Sequence, residues 1–453
     1  MIQVVETHEG LKNQPVKKVF INYFFPSLFG LMLMSVNILA DGVFIGNGVG
    51  SDGLAGVNLA IPLFSLIFSI SLWIGIGGGT MYSVNIGEGE VAKARSVFSL
   101  ATTSLMALIL ITGVIGYFNV KEIAYLLGAN ADTLSFTVEY LEVLFLLGWI
   151  IALQQLISIF VRNDGSPTLS MVALGMTAIV NIGLNYYMIF ILELGVFGAA
   201  LATVLASLIG LIVLLLHFFK KYTNLRKLSF QWSWKMLRRI FLIGFPSFFS
   251  EAGTLVFMAG YNLTIVGLLG TDGVAAFSVV NYLHGFLFLS FFGIESALQP
   301  MISYYHGAKE KGRIIESLKI GEKASFTLGL FLLIVGFVTA PILVSLFGLE
   351  SEEVRKLAIQ GIRLFFIGYV FLGFNFVYMT YFQSIGEIRK STIIIFLRSF
   401  FFLLLLLWLL PKLIGIAGVW LAVPLAEILV ALLLVFFTRK HVMMQTGQRN
   451  SSV

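Results

Sequence analysis

The 453-residue chain contains no cysteine, and only 11% of its residues are charged. The first absence excludes disulfide scaffolds and thiolate metal centres. The second excludes an ordinary water-soluble surface, because soluble proteins carry roughly 25% charged residues. No G-x-x-x-x-G-K-[ST] loop is present to cradle phosphates, and no His/Glu cluster resembles a catalytic centre. His217 and His284 have no partners at ligand spacing, so no bound metal is expected. What fills the chain is apolar: 58% hydrophobic residues and a mean hydropathy of +0.96.

Apolar stretches of about twenty residues recur along the whole length, each able to cross a ~30 Å hydrocarbon core as a helix. The alternating ten-residue segments of a membrane barrel are missing. The expected fold is therefore an all-α integral membrane protein. Twelve spans are read at roughly 18–46, 54–77, 96–117, 134–158, 168–191, 197–219, 240–263, 274–298, 318–342, 357–382, 391–410 and 416–437. Residues 1–17 run straight into the first span, so no cleavable signal peptide is expected.

Positive charge sets the expected orientation. Assigning loops alternately to two sides places 22 of the 29 Lys and Arg on one of them. These include Lys12, Lys17 and Lys18, the 220–239 segment, Lys309 to Lys319, and the tail with Arg439, Lys440 and Arg449. By the positive-inside rule both termini are cytoplasmic, and the net charge of +6 reports topology, with no support for a nucleic-acid partner. The expected location is the plasma (inner) membrane.

The chain also repeats itself at a spacing near 220 residues. Phe25-Pro26-Ser27 returns as Phe245-Pro246-Ser247, and Gly50-Ser51-Asp52-Gly53 as Gly270-Thr271-Asp272-Gly273. Gly128 and Gly148 return as Gly348 and Gly368, and FGAALATVLA (197–206) matches AGVWLAVPLA (417–426). The expected organisation is an N-terminal six-helix lobe (1–219), a basic linker (220–239) with Trp232 and Trp234, and a C-terminal six-helix lobe (240–453). An even number of spans per half gives a parallel repeat, with a pseudo-two-fold along the membrane normal and a substrate site at the repeat interface.

Polar residues inside spans are few, and each is a functional candidate by default. Asp41 stands in NILADGVFIG with Asn37 one turn earlier on the same face. A carboxyl group withdrawn from water favours its neutral form, which makes it a natural proton carrier. The same spacing also fits a span that ends at Ala40, with Asp41 facing water. Span 5 carries Thr177, Asn181 and Asn185 as one polar stripe, and span 6 carries Thr203. Carboxylate, amide and hydroxyl oxygens suit a proton relay or a Na⁺ site. Interhelical hydrogen bonding is the plainer reading of any single Asn. Glu251 follows Pro246 into the second half; Glu295 and Glu427 have only Arg398 as an evident cationic partner, and their roles stay open.

These stretches together resemble the multidrug and toxic compound extrusion (MATE) family. The resemblance rests on LADGVFIGNGVGSDGLAGVNLAIPL, FVRNDGSPTLSM, NIGLNYYMIF, GVFGAALATVLAS and ALQPMISYYHGAKE, and spans the whole chain. It is nearest the bacterial branch of DNA-damage-inducible-protein-F type and Gram-positive multidrug exporters. The resemblance implies two six-helix lobes around a central cavity, proton or cation uptake at Asp41, and a first-lobe site completed by Asn181 and Thr203. Relatives often have aspartate where this chain has Asn185, which favours H⁺ over Na⁺ as the coupling ion.

The expected function is a cation-coupled antiporter, with no enzymatic activity and no cofactor, that exports small lipophilic, mostly cationic compounds as a monomer in the lipid bilayer. The expected substrate cavity is lined by Met34, Asn37, Met176, Tyr261 and Asn262, with Glu251 nearby; flexible Met and aromatic side chains re-pack around varied ligands. The alternatives are a Na⁺-coupled exporter or a lipid-linked oligosaccharide flippase. The repeats disagree where the chemistry lies: Asp41 aligns with Asn262, Asn181 with Phe401, Asn185 with Leu405 and Thr203 with Val423.

Overall fold

In hydrocarbon every backbone N–H and C=O must be satisfied within the chain, so a sequence this apolar has helices as its natural solution. The computed structural model, which describes residues 8–221, 223–227, 229–349 and 351–447, is built of helices with no strand among those residues. Arg449 of the basic tail lies outside the described residues.

A short α1 (His8–Asn13) precedes α2 (Val16–Gly48), α3 (Ser51–Gly87), α4 (Val91–Phe118) and the short α5 (Val120–Leu126). Next come α6 (Leu134–Asn163), α7 (Pro167–Tyr186) with a π-helical turn at Tyr187–Ile191, and α8 (Gly195–Leu215). The second half is α9 (Trp234–Gly307), α10 (Lys311–Ser345), α11 (Glu352–Phe365), α12 (Tyr369–Ser384), α13 (Ile388–Phe396), α14 (Phe402–Ile414) and α15 (Ile416–Gly447). Among the described residues, eleven helical segments are long and apolar enough to cross a membrane. One of them, α9, runs for 74 residues and holds two of the twelve expected spans, separated at Gly270 with φ 58° and ψ −142°. This is a multi-pass membrane protein.

The backbone carries the duplication as plainly as the sequence does. Gly50 and Gly270 both have positive φ, as do Gly128 and Gly348, and Gly195 and Gly415. Gly89 is matched at the same spacing by Lys309, one of two non-glycine residues with positive φ among the described residues. A left-handed residue reverses the chain between spans, and glycine adopts it without a Cβ clash. Turns of the same hand at the same spacing mean that each half makes the same sequence of reversals.

The chain forms two compact units, residues 1–248 with 299–314, and residues 249–298 with 315–453. The division does not fall at the expected linker. The reason is close backbone packing of α3 against both ends of α9. A Cβ on Gly77 would overlap the Ile240 carbonyl oxygen, and one on Gly244 would overlap that of Trp73. Gly87 and Gly307 stand in the same relation to the Tyr304 and Val84 carbonyls. Glycines at helix crossings let membrane helices approach this closely. Trp73 reinforces the first crossing by donating from Nε1 to the Phe241 carbonyl at 2.7 Å.

Within the first unit α3 packs along α6, α2 along α7, and α8 against both α6 and α7. Within the second, α15 packs against α11, α12 and α14. In the basic linker Trp232 and Trp234 are exposed and set edge to face, 5.1 Å between ring centres, as suits a membrane-interface segment.

Candidate functional site

The α2–α7 pairing decides which polar side chains meet. On α2, Asn37 and Asp41 are one turn apart; on α7, Asn181 and Asn185 are likewise one turn apart. The packed stripes interlock. Asn185 Nδ2 donates to Asp41 Oδ1 at 2.5 Å, and Asn37 Nδ2 lies 3.5 Å from the same oxygen. Asn37 and Asn185 also donate to Asn181 Oδ1, at 2.5 and 2.9 Å. Asn181 Nδ2 reaches Thr203 Oγ1 on α8 at 3.3 Å. Asn181 and Asn185 are buried, while Asp41 is only partly so. Asp41 is therefore neither a free boundary residue nor an isolated charge: it is clasped by amides.

The Asn181 amide has two orientations in this network. The atom facing Asp41 Oδ1 lies 2.6 Å from it. If that atom is the amide oxygen, two acceptors confront each other and a proton must lie between them. With oxygen and nitrogen exchanged, the nitrogen donates to Asp41 and the oxygen accepts from Thr203 Oγ1 and N, both at 3.3 Å. The second arrangement suits a charged carboxylate. Asn185 Oδ1 is buried without a hydrogen-bond partner, leaving one acceptor in the cluster unused.

Tyr140 on α6 was not anticipated from the sequence. It lies beside Thr203 and Asp41 and packs on the cluster of Ile45, Val57, Ile189, Val196 and Ala199. No spacing pattern announces it, because the residues one turn from it toward the C-terminus, Val143 and Leu144, are apolar. Thr177 turns instead toward α6, where Gln154 Nε2 donates to its hydroxyl at 2.6 Å.

The expected cavity residues are drawn from both units. Met34 on α2 is half-buried and Met176 on α7 is exposed. Asn262 is exposed and Glu251 half-buried, both on α9 in the second unit. Tyr261, expected in the cavity lining, is packed in the interior of the second unit. It is fully buried, donates to the Val419 carbonyl at 3.0 Å and stacks on Phe277 at 5.0 Å between ring centres. Its phenol is used up in joining α9 to α15.

Two further buried polar clusters lie elsewhere, the first pairing Glu427 with Arg398, its one evident cationic partner in the sequence. Arg398 donates from Nε and Nη2 to Glu427 Oε1 at 3.0 and 2.6 Å, with Asn375 Nδ2 on Oε2 at 2.7 Å and the Phe376 ring 4.7 Å from the guanidinium. His217, without partner at ligand spacing, has its Nε2 2.8 Å from Asp164 Oδ2. Asp164 also accepts from Tyr82 at 2.6 Å, Asn224 Nδ2 at 3.3 Å and the Leu225 backbone N–H at 3.4 Å, which fixes part of the linker to the first unit.

A duplicated, all-helical bundle with a carboxylate clasped inside a span has the construction of a membrane transporter. Comparison with known proteins agrees. The MatE family model matches residues 26–187 and 246–409, and the chain belongs to that family of transporters. It is 26% identical over 436 residues to the multidrug export protein MepA of Staphylococcus saprophyticus, covering 94% of each chain. To the multidrug export protein MepA of Staphylococcus aureus strain MSSA476 it is 26% identical over 447 residues, covering 96% of this chain and 97% of the relative. Among solved structures, an outward-facing multidrug resistance MATE family transporter of the MOP superfamily superposes with a TM-score of 0.90 at 22% identity, covering 97% of this chain and 99% of that one. A MOP superfamily transporter from Pyrococcus furiosus, described as having a binding pocket of reversed polarity, gives 0.86 at 23% identity over 96% and 97% of the two chains. These likenesses establish the two-lobe MATE fold.

Proposed function

We propose that the protein exports lipophilic, mostly cationic compounds across the plasma membrane in exchange for protons, working as a monomer with both termini in the cytoplasm. The observation that carries the proposal is the clasp on Asp41: one carboxylate, amides from two helices, and no second anion among its hydrogen-bond partners. Asp41 balances the single charge of either ion, but Na⁺ also needs several oxygen ligands, and Asn185 and Asn37 turn amide nitrogens toward Asp41. A proton needs one carboxylate and one acceptor, which Asp41 and Asn181 Oδ1 provide.

The network then acts as a two-position switch. A protonated Asp41 donates to Asn181 Oδ1, and both asparagine neighbours donate to that oxygen as well. Loss of the proton leaves two acceptors in contact until Asn181 turns its amide and offers Nδ2. The turn sets that Nδ2 against the Nδ2 atoms of Asn37 and Asn185, which must shift in turn, and reverses the bond with Thr203, which then donates to Asn181 Oδ1, so proton occupancy on α2 is communicated to α7 and α8. Alternating access uses such differences in packing to favour one state over another. Met34 and Met176, on the same two helices, offer adaptable apolar surface to varied substrates. Export by this chain is further supported by the names of the MepA relatives, which match nearly its full length.

The test is an exchange of driving ions in proteoliposomes. Efflux of a lipophilic cationic dye is expected with a proton gradient and absent with a Na⁺ gradient alone. Strong transport on Na⁺ alone overturns the proton assignment and leaves export standing.

A further inference from the structure

A second site lies away from the Asp41 clasp, at the opposite end of α2. A cavity of about 420 Å³ opens where the start of α2 meets the start of α7. Ile21, Phe25 and Phe29 line it, spaced four residues apart and all exposed, together with Met171 of α7. Lys17 stands one turn before Ile21 on that stripe, and Lys18 one turn before Asn22, another wall residue; both lysines are exposed. From Lys18 to Phe29 the helix rises about 16 Å, the depth of one leaflet's hydrocarbon.

The polar features of the cavity are all at its charged end. Gln14 Oε1 lines that end, buried and without a hydrogen-bond partner. Pro26 has no N–H, so the Asn22 carbonyl in the wall lacks its helical donor. No aspartate or glutamate lines the cavity, and Asp164, near Tyr23 of its wall, is engaged by Tyr82 and His217. The cavity thus offers an apolar trough, two acceptors seeking donors, and the positive charge of Lys17 and Lys18 at its mouth.

We infer that this cavity binds one anionic glycerophospholipid of the adjacent leaflet, with a phosphatidylglycerol-type head. An acyl chain fills the trough of Ile21, Phe25, Phe29 and Met171. The phosphate is met by Lys17 and Lys18, and a headgroup hydroxyl donates to Gln14 Oε1. A zwitterionic choline head matches less well, since it has no hydroxyl to donate and brings a cation to the lysines. Bound there, the lipid braces α2 against α7 on the side opposite the clasp.

Native mass spectrometry of the full-length protein in detergent, with equal amounts of phosphatidylglycerol and phosphatidylcholine of the same chains, tests the site. The wild type is expected to retain one phosphatidylglycerol with a preference on the order of tenfold, the scale set by two interfacial lysines. Lys17→Gln/Lys18→Gln, a surface change, is expected to abolish the preference. Met171→Trp, which fills the trough, is expected to remove the adduct for both lipids. Equal retention of the two lipids by the wild type, or an undiminished preference in the double lysine variant, overturns the site. Stoichiometric expulsion of the lipid by a lipophilic cationic dye also overturns it, by making the cavity a substrate pocket.

Discussion

Replacing Asp41 by asparagine removes the charge and the proton while keeping the shape of the clasp. Asn185 Nδ2 and Asn37 Nδ2 both point at Asp41 Oδ1, at 2.5 and 3.5 Å. An asparagine at 41 still presents a carbonyl oxygen there, so neither donor is orphaned. Alanine would leave buried donors unpaired at a cost of about 1–3 kcal/mol, which would confuse a folding defect with a coupling defect. The functional loss follows from the driving force. Exchange of one proton for one monovalent cation moves no net charge, so the pH gradient is the driving force, and one pH unit contributes about 1.4 kcal/mol, or tenfold accumulation. Dye uptake into everted vesicles under a gradient of one pH unit should therefore fall from about tenfold accumulation to equilibration in Asp41→Asn, while expression and thermal stability stay near those of the wild type. Full accumulation by a stable variant would refute the assignment of Asp41 as the coupling group.

Other predictions concern the supporting structure. Arg398→Met strands the Glu427 carboxylate in the interior and should cost about 3–5 kcal/mol, whereas Arg398→Met/Glu427→Gln should recover much of it; thermal denaturation in detergent compares the two, and equal losses would contradict the pairing. Gly244→Val drives a side chain into the Trp73 carbonyl and should cost about 1–3 kcal/mol or more, read as lowered thermal stability beside a tolerated Gly267→Ala, where a Cβ meets nothing within 4 Å. Asp164→Ala unties Tyr82, His217 and the linker at Asn224, and limited proteolysis should then cut the 220–233 segment faster than in the wild type; unchanged cleavage would show that the linker is held by other contacts.

The primary sequence was sufficient for most of the architecture because a bilayer imposes a one-dimensional rule. Any run of about twenty apolar residues must become a helix, and glycines at repeated spacing must become the turns between helices. The Gly50/Gly270 and Gly128/Gly348 pairs show this directly, since each was visible as a repeat and each has the same left-handed backbone. The polar members of the clasp were legible for the same reason: Asp41, Asn181 and Asn185 are conspicuous where almost nothing else is polar.

What the sequence could not decide was partnership. Spacing along α7 puts Thr177, Asn181 and Asn185 on one face, yet only the crossing of α2 over α7 joins two of them to Asp41, while Thr177 is taken by Gln154. Tyr261 reads as a cavity aromatic until packing buries it against Val419 and Phe277. His217 and Asp164 lie 53 residues apart, a distance over which only three-dimensional packing can pair residues. The division into units was likewise settled by backbone contact, through Gly77 and Gly87 of α3 against the two ends of α9. Hydrophobicity and turn chemistry are local and additive, so the chain states them outright. Which side chains meet depends on helix crossings set by close packing, and those exist only in the folded protein.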